Sequence, residues 1–374
     1  MSPVLDWRPP APAAVDPGGV RPLVEADVPQ VAALHRRLLG SSEESGPVEP
    51  YLLEILCRHP WRDPRLSSLV YEDPTGRIAG CLGVMPRPMR MEGRSIVAAV
   101  THSFMVEPDH RSNLAAMQLL KSFLAGPQDL SLAEGNAISR RLWEAIGGAT
   151  GTLYSLRWTR PLRPARYALD LCRRRGLRRW PVALLRPVCA AADFVASRLP
   201  QSPLRLETPK LSAQETDAAE LCSAIGRLSA PRVLRPCYER ASLEWLLGML
   251  GAVPTRGTPR AVLLERAATL VGSYVYYVKP GGVSEVVQIA AAPGAGAEVL
   301  DHLFDDARSR GAIAVSGQLE PALVPAFSER FCSFHRGRDG SWVLLHSRSD
   351  RILRALQLGD AYFTRLEGEW WIAA

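Results

Sequence analysis

The sequence predicts a mixed α/β (α+β) protein in which a mostly antiparallel central sheet is flanked by helices. Runs rich in β-branched residues, separated by short turn signals, follow one another closely in the first third of the chain. Elsewhere, apolar residues recur at the three- and four-residue spacing of amphipathic helices. The same order of strands and helices returns in the second half, so we predict that the fold is duplicated.

The composition is that of a folded, soluble protein with two or three domains. The chain has 374 residues, of which 47% are hydrophobic and 22% charged, so neither disorder nor a membrane bundle is expected. Lys plus Arg is 45 and Asp plus Glu is 38, and a net charge of +7 is too small to predict nucleic-acid binding. The seven cysteines include no CxxC pair, so we predict neither a disulfide framework nor a metal site.

The N-terminus predicts a flexible leader rather than a targeting signal. Residues 1–18 are rich in Pro and Ala and lack a basic region followed by an apolar run. The most apolar long stretch, Pro181–Leu199, is interrupted by charged residues and by a proline, so no transmembrane helix is predicted. We therefore expect a cytoplasmic protein.

The first predicted domain covers residues 19–160. It opens with a strand at Val20–Val24 and a helix that Asp27 caps. An antiparallel meander follows, with strands at Leu66–Tyr71, Arg77–Met85 and Ser95–Val106. A helix, a strand, a helix and a last strand are then predicted at Ser112–Leu124, Leu130–Ala133, Asn136–Ile146 and Thr150–Arg157.

The rest of the chain divides into a connector and a second domain. Residues 161–203 form an Arg-rich connector with helical segments, in which only Asp170 and Asp193 are acidic. Residues 204–374 are predicted to repeat the architecture of the first domain, and their tail to end in a strand pair with a turn at Gly368. The strands and helices predicted between these points lie at Ala261–Glu265, Thr269–Val278, Glu285–Ala290, Ala297–Arg310, Ala312–Val315, from Pro321, and at Trp342–His346.

One segment of the first domain joins a strand, a basic loop and a helix, an arrangement suited to phosphate binding. This segment, Phe104–Leu120, resembles the acyl-CoA-binding motif of the GNAT acyltransferase superfamily, in which a strand ends in V-x-P-x-x-R and continues as R/Q-x-x-G-x-G/A into a helix. The matching residues are Val106, Pro108, Arg111, Ala116, Leu119 and Leu120. Leu114 stands where the motif has its first glycine, and its side chain narrows the approach to the backbone.

The resemblance implies that acetyl-CoA or another acyl-CoA is the co-substrate. It places the CoA pyrophosphate on Arg111 and on backbone amides at the start of the helix, namely those of Ser112, Asn113, Leu114, Ala115 and Ala116. It places the pantetheine arm along the strand residues Phe104, Met105 and Val106, with Asn136 nearby.

A second stretch also resembles the family but departs from it at two positions. Leu142–Gly148 resembles the pattern L-Y-x-x-x-G-F, with Trp143 in place of the Tyr and Gly148 in place of the Phe. In many members the Tyr hydroxyl is the proposed general acid for the departing thiolate, whereas an indole N–H is a very poor acid.

Acyl transfer to an amine also needs a base for the incoming ammonium group. His102 is the titratable side chain on the strand where the family often has a Glu, and it is our first candidate. Glu134 is the second candidate, with helix capping as its alternative role. Either residue remains open as a structural one.

The sequence therefore predicts a tandem GNAT-like N-acyltransferase with a degenerate second domain. It would move an acetyl or other acyl group from acyl-CoA to the amine of a small molecule or peptide. Two alternatives stay open: a non-catalytic GNAT-fold protein that binds a ligand or partner, and an acyltransferase whose donor is an acyl carrier protein. The connector could dock such an acidic carrier protein or an anionic membrane surface, or could be a solvated face paired with acids.

Overall fold

A computed structural model describes residues 18–39, 48–111, 115–174, 182–198, 210–336 and 341–368. Apart from Gly18, the predicted leader lies outside these ranges. The fold class is confirmed, because two largely antiparallel sheets are flanked by helices.

The strands are β1 (Gly19–Pro22), β2 (Leu69–Glu72), β3 (Ile78–Met91), β4 (Arg94–Val106), β5 (Leu130–Gly135), β6 (Ala149–Thr150), β7 (Leu156–Pro161), β8 (Ser212–Glu215), β9 (Leu234–Pro236), β10 (Thr258–Arg266), β11 (Thr269–Val278), β12 (Val283–Ala291), β13 (Ala314–Gln318), β14 (Ser333–Arg336) and β15 (Trp342–His346). The helices are α1 (Val28–Leu39), α2 (Val48–Leu53), α3 (Pro108–Arg111), α4 (Ala115–Leu124), α5 (Ala137–Ala145), α6 (Pro164–Arg174), α7 (Val182–Arg198), α8 (Ala218–Leu228), α9 (Arg240–Gly251), α10 (Gly296–Ser309), α11 (Val324–Glu329) and α12 (Asp350–Leu358).

The turns that the sequence marked are built by local hydrogen bonds. Asp73 Oδ1 accepts from the backbone N–H groups of Thr75 and Arg77, at 2.9 and 3.1 Å, and so closes the β2–β3 turn. The β3–β4 hairpin turns at Glu92 and Gly93, whose φ angles of 50° and 84° lie in the left-handed region that a tight hairpin requires. These two turns set the register of the meander.

The second sheet repeats the first one strand for strand. The first sheet has the order β1-β2-β3-β4-β5-β15-β6, with β9 pairing on β3, and the second, read in the same sense, has β8-β10-β11-β12-β13-β7-β14. In each sheet the one parallel pair joins the fourth and fifth strands, β4 with β5 and β12 with β13. The repeated element order inferred from the sequence is therefore present in the described strands.

The sixth strand of each sheet comes from the other half of the chain. β15 lies between β5 and β6, and β7 lies between β13 and β14. The predicted single strand Thr150–Arg157 is wrong: a 3-10 turn at Leu153–Ser155 separates β6 from β7, and the chain crosses there to the second sheet. The crossing buries Trp158 completely beside Phe304 and Phe327, at ring-centroid distances of 5.9 and 4.7 Å.

The end of the chain also differs from the expectation. The strand pair predicted for the tail is wrong up to residue 368, where Arg365–Glu367 forms a 3-10 helix that Thr364 caps. Residues 369–374 lie outside the described residues. Because Leu366 and Glu367 are buried at 0% and 1% exposure, this segment packs inside the molecule instead of pairing at an edge.

One apolar core joins the two sheets. It contains side chains from α1, α2 and β3 of the first half, from α8, α9, β11 and β12 of the second, and from the C-terminal segment. A separate cluster packs α4 and α5 on the opposite face of the first sheet. One face of the first sheet therefore packs in the core shared with the second half of the molecule, and α4 and α5 cover its other face.

Within the described ranges, no helix combines the length and apolar character needed to cross a bilayer. In the same part of the chain, no group of three or more His, Cys, Asp or Glu side chains is placed to hold a metal ion.

Candidate functional site

The two parallel strands of the first sheet separate partway along their length. They pair from Ala98 opposite Leu130 to Val100 opposite Leu132. Beyond that point β4 continues to Val106 alongside β3, whereas β5 continues alongside β15. This opening, which we call the first gap, lies beside the strand residues to which the family resemblance assigns the pantetheine arm.

A β-bulge bends β4 where the first gap begins. Opposite β3, the register shifts between Cys81 and Gly83, so that one extra residue of β4 is accommodated. Ser103 takes the left-handed φ of 47°, and the next side chain, Phe104, is 41% exposed. Strain and bulges of this kind are common beside functional sites because they redirect a strand locally. Met105, one residue further, is again buried.

β4 is followed by the short helix α3, which occupies the described part of the basic loop that the sequence assigned to phosphate binding. Ser112, Asn113 and Leu114 lie outside the described residues, as does the placement of the Arg111 side chain. The site residues Ala115 and Ala116 begin α4, and Ala115 is fully buried. The predicted contacts with CoA therefore stay a prediction.

Glu107 holds the end of β4 in place. Its buried carboxylate forms ion pairs with Arg37 of α1, at 2.5 Å, and with Arg77 of the β2–β3 turn, at 2.7 Å. Its backbone N–H donates to the carbonyl of Ala79. Because three elements converge on this residue, the backbone at the start of α3 is positioned by the rest of the first sheet.

His102 lies on the inner face of β4, against Gly83. A Cβ at residue 83 would come within 2.4 Å of His102 Cε1, so the glycine is what admits the ring. The imidazole is 3% exposed, and burial, with His59 and Arg87 nearby, lowers its pKa to about 3. In this state the ring is neutral at pH 7 and is a weak base. Its proposed catalytic role stays a prediction, and the geometry accounts for it equally as a packed residue.

Glu134 and Asn136 lie at the far side of the first gap. Glu134 is exposed near the end of β5, and its charge acts on Arg365 of the C-terminal segment. Asn136 caps α5, since its Oδ1 accepts from Ile138 N at 2.9 Å and Ser139 N at 3.0 Å. The alternative role of helix cap that we gave to Glu134 is therefore filled by Asn136.

Trp143 and Gly148 form one coupled departure from the family pattern. The Trp143 indole N–H donates to the carbonyl of Leu345 in β15, at 2.8 Å, and the ring is 4% exposed. A Cβ at residue 148 would lie 2.0 Å from Trp143 Cδ1, so the indole occupies the space that a larger residue 148 would need. Trp143 therefore holds β15, the strand that the second half of the chain contributes to the first sheet, by a hydrogen bond. Because its N–H is engaged there, Trp143 is not placed to protonate a leaving thiolate.

The structure adds a buried cluster that the sequence analysis did not single out. Arg87 of β3 donates to the carbonyls of Leu366 at 3.1 Å and Glu367 at 3.2 Å, and its guanidinium lies 3.7 Å from the ring centroid of Trp61. The Glu367 carboxylate in turn accepts from the hydroxyl of Tyr238. Burial lowers the pKa of Arg87 to about 10. The residues that Arg87 contacts lie up to 280 positions away in the chain, so local sequence patterns do not predict these contacts. The sequence signal for the cluster was a charged residue between two prolines in an otherwise apolar strand.

The second sheet contains a corresponding opening. β12 and β13 pair from Val283 opposite Ala314 to Val286 opposite Gly317 and then separate, and β12 carries an extra residue at Val287. We call this opening the second gap. Its small cavity is lined by side chains and backbone of Val286, Val287, Gln288, Ile289, Gln318, Leu319, Glu320, Phe363 and Thr364.

Comparison with known proteins rests on structure. No family model matches the chain, and no curated protein matches it in sequence. A GCN5-related N-acetyltransferase from Anabaena variabilis aligns with 90% of this chain and 75% of its own, with a TM-score of 0.59 and 11% identity. A protein from Enterococcus faecalis, described as a probable N-acyltransferase, aligns with 88% of this chain and 72% of its own, with a TM-score of 0.57 and 10% identity.

A third similar structure is the N-myristoyltransferase of Saccharomyces cerevisiae with bound myristoyl-CoA. It aligns with 91% of this chain and 80% of its own, with a TM-score of 0.51 and 12% identity. At identities this low the likeness concerns the backbone, and it spans both sheets because it covers about nine tenths of the chain. The chain therefore has the GNAT fold of the N-acyltransferases.

Proposed function

We propose that the protein transfers an acyl group from an acyl-CoA to the amine of a small molecule or peptide, with the first gap as the site. The observation that carries the proposal is the opening between β4 and β5, which begins at the bulge and leads into the turn before α4. An extended arm could lie along unpaired backbone there while its phosphates meet the amides at the helix start. The similar structures named above support an acyltransferase, and the acyl group and acceptor are our inference.

The chemistry requires little beyond alignment. The neutral amine nitrogen attacks the thioester carbonyl carbon, a C–N bond forms as the C–S bond breaks, and the proton that the nitrogen loses is taken up, directly or through water, by the CoA thiolate. A backbone N–H group of β4 beyond its last pair with β5 could polarise the carbonyl oxygen. Holding the two reactants together supplies a large part of the rate enhancement of such a reaction.

Calorimetric titration of the purified protein with acetyl-CoA, longer acyl-CoAs and free CoA tests the proposal. We expect one site per chain, and Arg111→Glu should weaken binding about tenfold or more because it reverses a charge beside a phosphate. Arg94→Glu is the matched control, since it reverses the charge of an exposed arginine in the β3–β4 hairpin, away from the first gap. Unchanged affinity in Arg111→Glu, or equal weakening in Arg94→Glu, would contradict the assignment of the turn.

A non-catalytic binding protein is the second candidate. Two observations favour it: His102 has a pKa of about 3, and the N–H of Trp143 is already hydrogen-bonded to Leu345. Release of free CoA thiol from acetyl-CoA in the presence of a panel of amines separates the two candidates. Tight acyl-CoA binding with no amine-dependent thiol release would favour the binding protein.

A further inference from the structure

The connector between the two sheets carries a charge balance unlike that of the rest of the chain. Residues 161–203 contain nine arginines, two aspartates and no lysine or glutamate, a balance of +7. This equals the +7 of the whole protein, so the remaining residues are balanced in charge. The excess positive charge of the molecule is therefore confined to one short segment.

Within the connector, α6 and α7 form a hairpin whose two acids are already engaged. The Asp193 carboxylate, 5% exposed, accepts from the backbone N–H of Ala165 at 2.8 Å and from Arg166 Nε at 3.2 Å. Asp170 forms an ion pair with Arg174 one turn along α6. Both aspartates therefore pair with arginines of α6, and within the described residues neither pairs with an arginine of α7.

The base of the hairpin is fixed to the second half of the molecule. The guanidinium of Arg163 donates to the carbonyl of Ala312 at 2.6 Å and to that of Arg308 at 3.0 Å. The carboxylate of Asp193 then holds α7 against the start of α6. These hydrogen bonds hold the helical hairpin on the second half of the molecule, so α7 has a fixed outward face.

That outward face is apolar, the reverse of an ordinary water-facing helix surface. Val188 is 64% exposed, Phe194 58% and Val195 60%. The Arg198 guanidinium lies 4.5 Å from the ring centroid of Phe194. Among the residues of α7 whose side chains the structure describes, the exposed positions include no acid and are Arg186, Pro187, Val188, Ala191, Ala192, Phe194, Val195 and Arg198.

We propose that α7 docks this face on an anionic lipid surface. The side chains of Val188, Phe194 and Val195 would enter the boundary between headgroups and acyl chains, and Arg186 and Arg198 would meet lipid phosphates. An apolar strip flanked by arginines is the composition of helices that lie in a membrane interface. An acidic protein would satisfy the arginines but would leave this apolar strip without a comparable partner. The proposal does not depend on acyl transfer.

Flotation of the purified full-length protein with lipid vesicles tests the docking. We expect binding to vesicles with equal amounts of phosphatidylcholine and phosphatidylglycerol, weakened by salt, and little binding to phosphatidylcholine alone. Arg186→Gln/Arg198→Gln should reduce partitioning about 25-fold, since each arginine near such a surface is worth roughly 1 kcal/mol. Val188→Ser/Phe194→Ser/Val195→Ser should reduce it about tenfold or more.

Two matched controls keep the outcome specific. Arg90→Gln/Arg94→Gln removes the same charge from exposed positions of the β3–β4 hairpin. Val24→Ser/Ile138→Ser/Leu358→Ser removes three exposed apolar side chains elsewhere, at 53%, 78% and 65% exposure. Both controls should bind vesicles as the unchanged protein does, and circular dichroism checks that every variant folds.

Several outcomes would overturn the proposal. No binding to anionic vesicles, or equal losses in the controls, would remove the lipid surface as the partner of α7. Binding to a purified acyl carrier protein that is lost in Arg186→Gln/Arg198→Gln, without vesicle binding, would assign the face to an acidic protein. A dimer in light scattering that the triple serine variant dissociates would assign it to a second copy of the chain.

Discussion

The first gap and the second gap occupy the same place in their sheets, but their surroundings differ in chemistry. The first is followed in the chain by α3, which ends at Arg111, whereas the loop after β12, residues 292–295, has no basic residue. The second contains the amides of Gln288 and Gln318, which are 2% and 9% exposed, and the carboxylate of Glu320, which is 4% exposed. The two sheets therefore share an opening between corresponding strands, and the side chains around each opening determine which ligand could bind there.

The C-terminal segment closes the second gap and also contacts the first half. Phe363 and Thr364 line the second gap, and the hydroxyl of Tyr362 donates to the carbonyl of Ile289 at 3.2 Å. Two residues on, the carbonyls of Leu366 and Glu367 accept from the buried Arg87 of the first sheet. One short segment thus joins the two halves, which helps to explain why they share a core.

The largest expected effect concerns Trp143, which contacts β15, the strand that the second half of the chain contributes to the first sheet. Gly148→Ala should lower the free energy of unfolding by about 3 kcal/mol, because its Cβ would meet the Trp143 indole in a packed site. Trp143→Tyr alone should cost about 2 kcal/mol, since the bond to Leu345 is lost and a cavity forms. In the double variant the total cost should be less than the sum of the two single costs, because the smaller ring relieves the side-chain contact, although the contact of the new Cβ with the backbone oxygen of residue 143, at 2.7 Å, remains.

Urea unfolding of the two single variants and the double variant measures this coupling. Gly151→Ala is the control, since a Cβ there would make only contacts of 3.3 Å or longer. Strict additivity would show that Trp143 and Gly148 are independent departures from the family pattern.

An intermediate effect concerns pH and the second gap. Burial raises the pKa of Glu320 to about 7, above the ordinary value of about 4.3, although Arg232 lies 2.8 Å from its Oε1. Between these values the folded protein holds a proton that the unfolded chain releases, so stability should fall as pH rises from about 4.5 to about 7. Glu320→Gln should remove roughly 3 kcal/mol of that change, measured by urea unfolding across this range.

The exposed Glu329→Gln is the matched control for the pH experiment and should leave the slope unchanged. A slope that persists in Glu320→Gln would show that another group titrates in this window.

The smallest effect concerns the unpaired amide of the second gap. Within the described residues, neither polar atom of the Gln288 side chain has a hydrogen-bond partner. Gln288→Met keeps the side-chain length and should raise the free energy of unfolding by about 1 kcal/mol, because a buried unsatisfied polar group is removed. Thermal unfolding of this variant and of the exposed control Gln214→Met measures the difference. A clear loss of stability would show that Gln288 binds a polar ligand or water, making the second gap a polar site.

Sequence patterns predicted the meander and the site region because they depend on neighbours along the chain. Alternation in β3 and β4, the Asp73 turn and the glycine of the hairpin act over a few residues. The family resemblance assigned acyl-CoA to the strand, turn and helix beside the opening between β4 and β5, and that assignment stays a prediction. The second half repeated this order of elements with different residues.

By itself, then, the sequence determined the fold class and the repeated order of elements. Only the tertiary structure decided that β7 and β15 change sheets, that Trp143 fastens β15, and that Arg87 meets the C-terminal segment. It also decided that His102 is buried against Gly83, which lowers its pKa and weakens it as a base. The physical reason is range: local patterns set strands and turns, whereas these contacts join residues far apart in the chain and depend on which apolar faces meet.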